Sequence, residues 1–76
     1  MKEIKLNELK PGKRGIVAGI TGTGALRRRI IDMGITPGAE IMMRKTAPLG
    51  DPLQINIRGY ELSLRKADAK EITITI

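Results

Sequence analysis

Apolar and polar residues alternate in short runs along this chain, and Gly and Pro fall between most of the runs. The clearest is Leu53, Ile55 and Ile57 alternating with Gln54, Asn56 and Arg58, the period-2 pattern of a half-buried strand. Tyr60, Leu62 and Leu64 alternate with Glu61, Ser63 and Arg65, and Ile72, Ile74 and Ile76 alternate with Thr73 and Thr75. Residues 39–46 are a further strand, with Ile41 and Met43 on one face and Met42 and Arg44 on the other. Methionine on both faces leaves its inward side open. Residues 14–20 alternate more weakly, and the glycines at 15 and 19 predict bending or close backbone approach. Lys10-Pro11-Gly12, Thr36-Pro37-Gly38, residues 47–52 and Gly59 supply the turns. Gly59 reads as backbone geometry alone, and Tyr60 reads as core beside Leu62 and Leu64.

One helix interrupts this pattern. Residues 25–33 place Leu26, Ile30 and Met33 on one stripe, widened by Ile31, with Thr23 as N-cap and Gly34 as the residue past the C-cap. Arg28 and Asp32 lie on the opposite side, spaced to pair at the surface. Residues 66–70 predict a single helical turn, and Ile4, Leu6 and Leu9 a short opening element. A chain of 76 residues gives one domain, 1–76, with one small core. It has no Cys and no His, so neither a disulfide nor the usual nitrogen and sulfur ligands of zinc can staple it. Closing the sheet on itself covers the apolar faces instead. The expected fold is all-β, a small SH3-like barrel of about five strands with a short helix inserted at about 25–33.

The same composition narrows function. Without His or Cys, the commonest general base and the thiolate nucleophile are missing, so no catalytic residues are assigned and no enzyme is expected. Asp32, Asp51 and Asp68 show no ligand-like spacing; neither metal ligands nor a cofactor is assigned, and Met33, Met42 and Met43 read as core filler. The opening residues carry no unbroken apolar run, and no stretch approaches the ~20 apolar residues of a membrane span. A cytoplasmic location follows, with membrane contact only through a partner. The net charge of +6 suits acidic protein surfaces, nucleic acid or anionic lipid. With one Tyr and no Trp or Phe there is no stacking platform, so stable nucleic acid binding is not expected. A basic barrel that grips duplex phosphates stays as an alternative, and steep salt dependence would mark it.

Two segments stand out as contacts for a partner. Arg27, Arg28 and Arg29 are the chain's only run of basic residues along a helix and project from about three sides of it. Arg27 or Arg29, flanking the apolar stripe that begins at Leu26, is placed to meet an acidic patch or to act in trans on a GTPase, against the plain reading of a solvated helix. In Pro48-Leu49-Gly50-Asp51-Pro52 two prolines frame an apolar Leu. That loop either holds Leu49 outward as a rigid anchor or folds it onto the barrel rim.

Leu26-Arg27-Arg28-Arg29-Ile30-Ile31-Asp32-Met33-Gly34-Ile35-Thr36-Pro37-Gly38 resembles the signature of the FeoA family of small ferrous iron transport proteins. Ala47-Pro48-Leu49-Gly50-Asp51-Pro52, then Arg58-Gly59-Tyr60-Glu61-Leu62-Ser63-Leu64-Arg65, is similar to the family's loop and hairpin, and Leu6-Asn7-Glu8-Leu9-Lys10-Pro11-Gly12 to its opening. The resemblance implies a cytoplasmic SH3-like barrel that assists the membrane ferrous iron transporter FeoB, a protein with a cytosolic GTP-binding domain. Regulation of GTP hydrolysis, assembly and gating all stay open. Similar domains follow the metal-sensing parts of iron-dependent repressors, so a transition metal ion-binding domain is the second alternative. The residues expected to meet the transporter are Leu26, Arg27, Arg29, Pro48, Leu49, Gly50, Asp51 and Pro52. Self-association through sheet edges stays open as well.

Overall fold

Every alternating run becomes a strand in the computed structural model, which describes residues 2–49 and 51–76. In chain order these are β1 (Glu3–Lys5), β2 (Arg14–Ile20), β3 (Glu40–Thr46), β4 (Leu53–Ile57), β5 (Tyr60–Leu64) and β6 (Ile72–Thr75). A 3-10 turn over Leu6–Glu8 follows β1, helix α1 (Gly24–Asp32) joins β2 to β3, and the short α2 (Lys66–Ala69) joins β5 to β6. The strands form one antiparallel sheet in the order β1-β6-β2-β3-β4-β5. There are six strands rather than five. The addition is β1, three residues paired with the far end of the chain through Glu3–Thr75, Ile4–Ile74 and Lys5–Thr73. A strand that short carries no readable period.

Divided pairing along β2 curls the sheet. Its first residues, Arg14, Gly15 and Ile16, pair with β3, while Ile16 to Ile20 pair with β6 across a register shift between Val17 and Gly19. The curl buries Val17, Ile41, Met43, Leu53, Ile55, Ile57, Leu64, Ile72 and Ile74 on its concave side. Each of the fully buried Ile and Leu side chains contributes roughly 1.5–3 kcal/mol by leaving water. Met43 beneath Ile41 settles the inward face of β3, and Met42 lies half-buried on the other side. Among the described residues no ladder joins β1 to β5, so the sheet closes around its core without hydrogen-bonded closure at the ends. Leu6, Leu9 and Ala69, from the turns beside that gap, complete the core.

α1 ends as its sequence predicts. Gly34 takes φ +92°, its N–H donates to the Ile31 carbonyl at 2.9 Å, and the Ile35 N–H donates to the Ile30 carbonyl at 3.3 Å. These two bonds form a Schellman cap, and the apolar contact such a cap favours is supplied by fully buried Ile30 and Ile35. Thr23 occupies the N-cap with extended φ and ψ, but its side chain makes no capping bond. Arg28 and Asp32 do not pair; the ion pairs among the described residues are Arg29–Asp68 and Arg44–Glu61. Tyr60 corrects a core assignment, since it is 71% exposed. It opens β5 directly after a tight turn at Arg58 and Gly59, beyond the reach of the core that covers Leu64.

Gly15 marks a close approach of β6 to β2. A Cβ there would collide with Cγ2 of Ile74 and sit 3.2 Å from the Thr75 carbonyl oxygen, whereas at Gly19 a Cβ meets nothing within 4 Å. Gly15→Ala is expected to destabilise the fold by about 1–3 kcal/mol. Gly19→Ala is expected to stay within about 0.5 kcal/mol of the parent in a urea melt. Equal melts for the two would show that the approach at Gly15 is not a constraint.

Candidate functional site

α1 and the loop between β3 and β4 each meet α2, and that helix organises the candidate surface. From α1, Arg29 Nη2 donates to Asp68 Oδ1 at 2.9 Å; the arginine side chain is 60% exposed and the carboxylate 12%. From the loop, the exposed Asp51 accepts the Lys66 N–H at 3.1 Å, satisfying one of the free donors at the start of α2. Just past α2, the Thr21 N–H donates to the Glu71 carbonyl at 2.7 Å, and the Thr21 hydroxyl to the Glu71 carboxylate at 2.6 Å. The segment leading into α1 is thereby tied to the same region.

This geometry sorts the residues singled out in the sequence. Leu26 is half-buried and packs against the core. Arg27 turns back, donating from Nη1 to the Ile20 carbonyl at 3.1 Å, which satisfies an acceptor at the end of β2. Arg29 is held by Asp68. Of the run of three, Arg28 alone has no partner among the described residues, and it lines a shallow cleft with Gly24, Arg27 and Ile31. In the loop, Pro48 and Pro52 are exposed and flank a shallow cleft shared with Lys45, Thr46, Ala47 and Gln54. Leu49 stands 92% exposed rather than folded onto the rim. Gly50 lies outside the described residues. The cleft beside α1 and the cleft beside the loop share no lining residue.

Sequence reasoning gave Asp68 no role, although it anchors α1 to α2. Nothing local signals it, because its arginine partner is 39 positions away. Among the described residues no three His, Cys, Asp or Glu side chains gather where they would hold a metal ion, and no helix is long and apolar enough to cross a membrane.

Removing Arg29 strands a largely buried carboxylate. Arg29→Ala is expected to lower stability by about 1–2 kcal/mol in urea unfolding, less than a fully buried pair because the guanidinium is mostly in water. Asp68→Asn in the Arg29→Ala background is expected to recover part of that loss. Additive losses in this cycle would show that the two side chains are not coupled.

Comparison with known proteins places this surface in context. Residues 4–76 match the sequence model of the FeoA domain. A Porphyromonas gingivalis Fe(2+) transport protein A/Fe(2+) transporter FeoB fusion protein is 36% identical over 73 residues, covering 96% of this chain. This chain spans only 9% of that fusion protein's length. The solution structure of an FeoA-like protein from Clostridium acetobutylicum shares 45% identity at a TM-score of 0.92, covering all of this chain and 88% of that one. Stenotrophomonas maltophilia FeoA, solved with zinc and described as an SH3 domain protein, superposes at a TM-score of 0.82 with 25% identity, covering 93% of this chain and 88% of that one. The chain belongs to the FeoA domain family, and its curled antiparallel sheet is the SH3-like fold of a domain associated with ferrous iron transport.

Proposed function

We propose that this chain is a non-enzymatic, cytoplasmic accessory protein of ferrous iron uptake that docks on the cytosolic region of the transporter FeoB. The observation that carries this reading is the relative in which an Fe(2+) transport protein A and FeoB form one polypeptide, an arrangement that keeps the two together. The surface agrees with it. Leu49 offers an apolar side chain, 92% exposed, on a loop framed by two prolines, so little conformational freedom is lost when it enters a pocket. Basic α1 supplies Arg27 and Arg29 beside it in function, each already oriented by a bond to its own fold. Leu26 supports the helix from beneath, and Pro48, Asp51 and Pro52 frame the loop.

The zinc held by the Stenotrophomonas protein prompts a second reading, a transition metal-binding domain. The residues here do not fit such a site. The chain has no His or Cys, and its carboxylates do not gather among the described residues.

Calorimetric titration against the cytosolic GTPase portion of the same cell's transporter tests the docking reading. Saturable binding is expected, with Leu49→Ala weakening it about tenfold or more, the ~1.4 kcal/mol or more of an anchor residue. Absence of binding in every nucleotide state would overturn it. Binding to duplex DNA that falls steeply with salt would favour the nucleic acid alternative.

A further inference from the structure

The pairing of β4 with β5 decides which backbone groups of β5 have partners. Arg58 and Gly59 both take positive φ, 52° and 83°, and make a two-residue hairpin turn whose flanking residues, Ile57 and Tyr60, exchange both backbone hydrogen bonds. Alternation makes Ile55–Leu62 and Leu53–Leu64 bonded pairs as well. The peptide groups of Glu61 and Ser63 therefore point away from β4. β5 ends the sheet, and neither residue's backbone meets another partner among the described residues.

The opposite end of the sheet is shorter and partly guarded. β1 has three residues, and of its two outward N–H groups, those of Glu3 and Lys5, the second is taken by Glu8 Oε1 at 2.8 Å. Protection of that kind is how folded proteins keep sheet edges from pairing with other chains. β5 lacks it. Its open edge runs from Tyr60, 71% exposed, to the point where Asp51 ties the Leu49-bearing loop to Lys66. Charge on this edge leans basic: the Glu61 carboxylate accepts from Arg44 Nε at 3.1 Å and the Asp51 carboxylate accepts the Lys66 backbone N–H, while the side chains of exposed Arg65 and Lys66 have no ion-pair partner among the described residues.

We propose that β5 is a docking edge, along which an extended acidic segment of the transporter's cytosolic portion adds as a further strand. Its backbone bonds the peptide groups of Glu61 and Ser63, and its carboxylates meet Arg65 and Lys66. Main-chain bonds supply affinity, while the exposed Tyr60 at the start of the edge supplies register. This inference rests on the docking reading above.

Amide exchange of the isotope-labelled protein, alone and with that cytosolic portion, tests it together with Ser63→Pro, Arg65→Glu and the charge control Lys13→Glu. Proline at 63 removes only an outward N–H, a change that edge strands tolerate. On binding, exchange at Glu61 and Ser63 is expected to slow at least ~tenfold. Ser63→Pro and Arg65→Glu are each expected to weaken binding about tenfold, and Lys13→Glu by clearly less. If Ser63→Pro does not fold, the exchange data and Arg65→Glu still decide. Binding with unchanged exchange at both amides overturns the edge and leaves the docking reading standing. No binding overturns both. Protection of these amides in the free protein that rises with its concentration would identify a second copy as the occupant and overturn the proposal.

Discussion

The approach of β6 to β2 at Gly15 is the contact on which the rest of this fold depends. A chain without cross-links must cover the apolar face of its sheet with the sheet itself. β2 achieves this by pairing with β3 at one end and β6 at the other. Where the two pairings meet, Ile74 needs the space a side chain at 15 would fill. Once the sheet has curled, the capped end of α1 delivers Ile30 and Ile35 to the interior, and the turns after β1 deliver Leu6 and Leu9. The remaining gap between β1 and β5 is flanked by short turns rather than closed by a ladder, so the two edges have different fates. One is three residues long and partly capped by a glutamate, and the other is longer and open.

α2, only four residues long, is where the outer layer is joined. It receives Arg29 from α1 and Asp51 from the loop, and the residue that follows it in the chain, after Lys70, receives Thr21. The consequence for the basic surface is specific. Two of the three consecutive arginines already have acceptors within their own fold, which fixes their direction and lowers their freedom to wrap around a partner. One of these bonds is to the backbone carbonyl of Ile20 and the other to the largely buried Asp68 carboxylate, and for the surface their effect is orientation. Leu49 carries no such commitment, and among the described residues it is the large hydrophobic side chain with the greatest fractional exposure.

In one relative an Fe(2+) transport protein A and FeoB share a polypeptide. When two modules share a chain, the linker sets an effective concentration in the millimolar range, and weak contacts suffice. Under the docking proposal, a separate module must supply its affinity through contacts, and an exposed leucine framed by prolines and an unpaired strand edge are the features of this fold that suit that task.

Local pattern made much of this legible. Alternation marked β4, β5 and β6 to within a residue or two, the apolar stripe and Gly34 marked α1 and its end, and the Pro-Gly pairs marked the turns. The run of arginines and the leucine between prolines identified the candidate surface from residue type alone. Other features had no local trace. β1 exists because residues 3–5 meet residues 73–75, the inward face of β3 is chosen by what lies across the barrel, and Tyr60 is exposed because the core ends before it. The assignment of Arg29 to Asp68 spans 39 positions. By itself the sequence determined which segments are strands, helix and turns, because period and turn chemistry act over a few residues. Which faces are buried, which cations are paired and which edge is left open were decided only by tertiary structure, because each depends on groups distant in the chain that the curl of the sheet brings together.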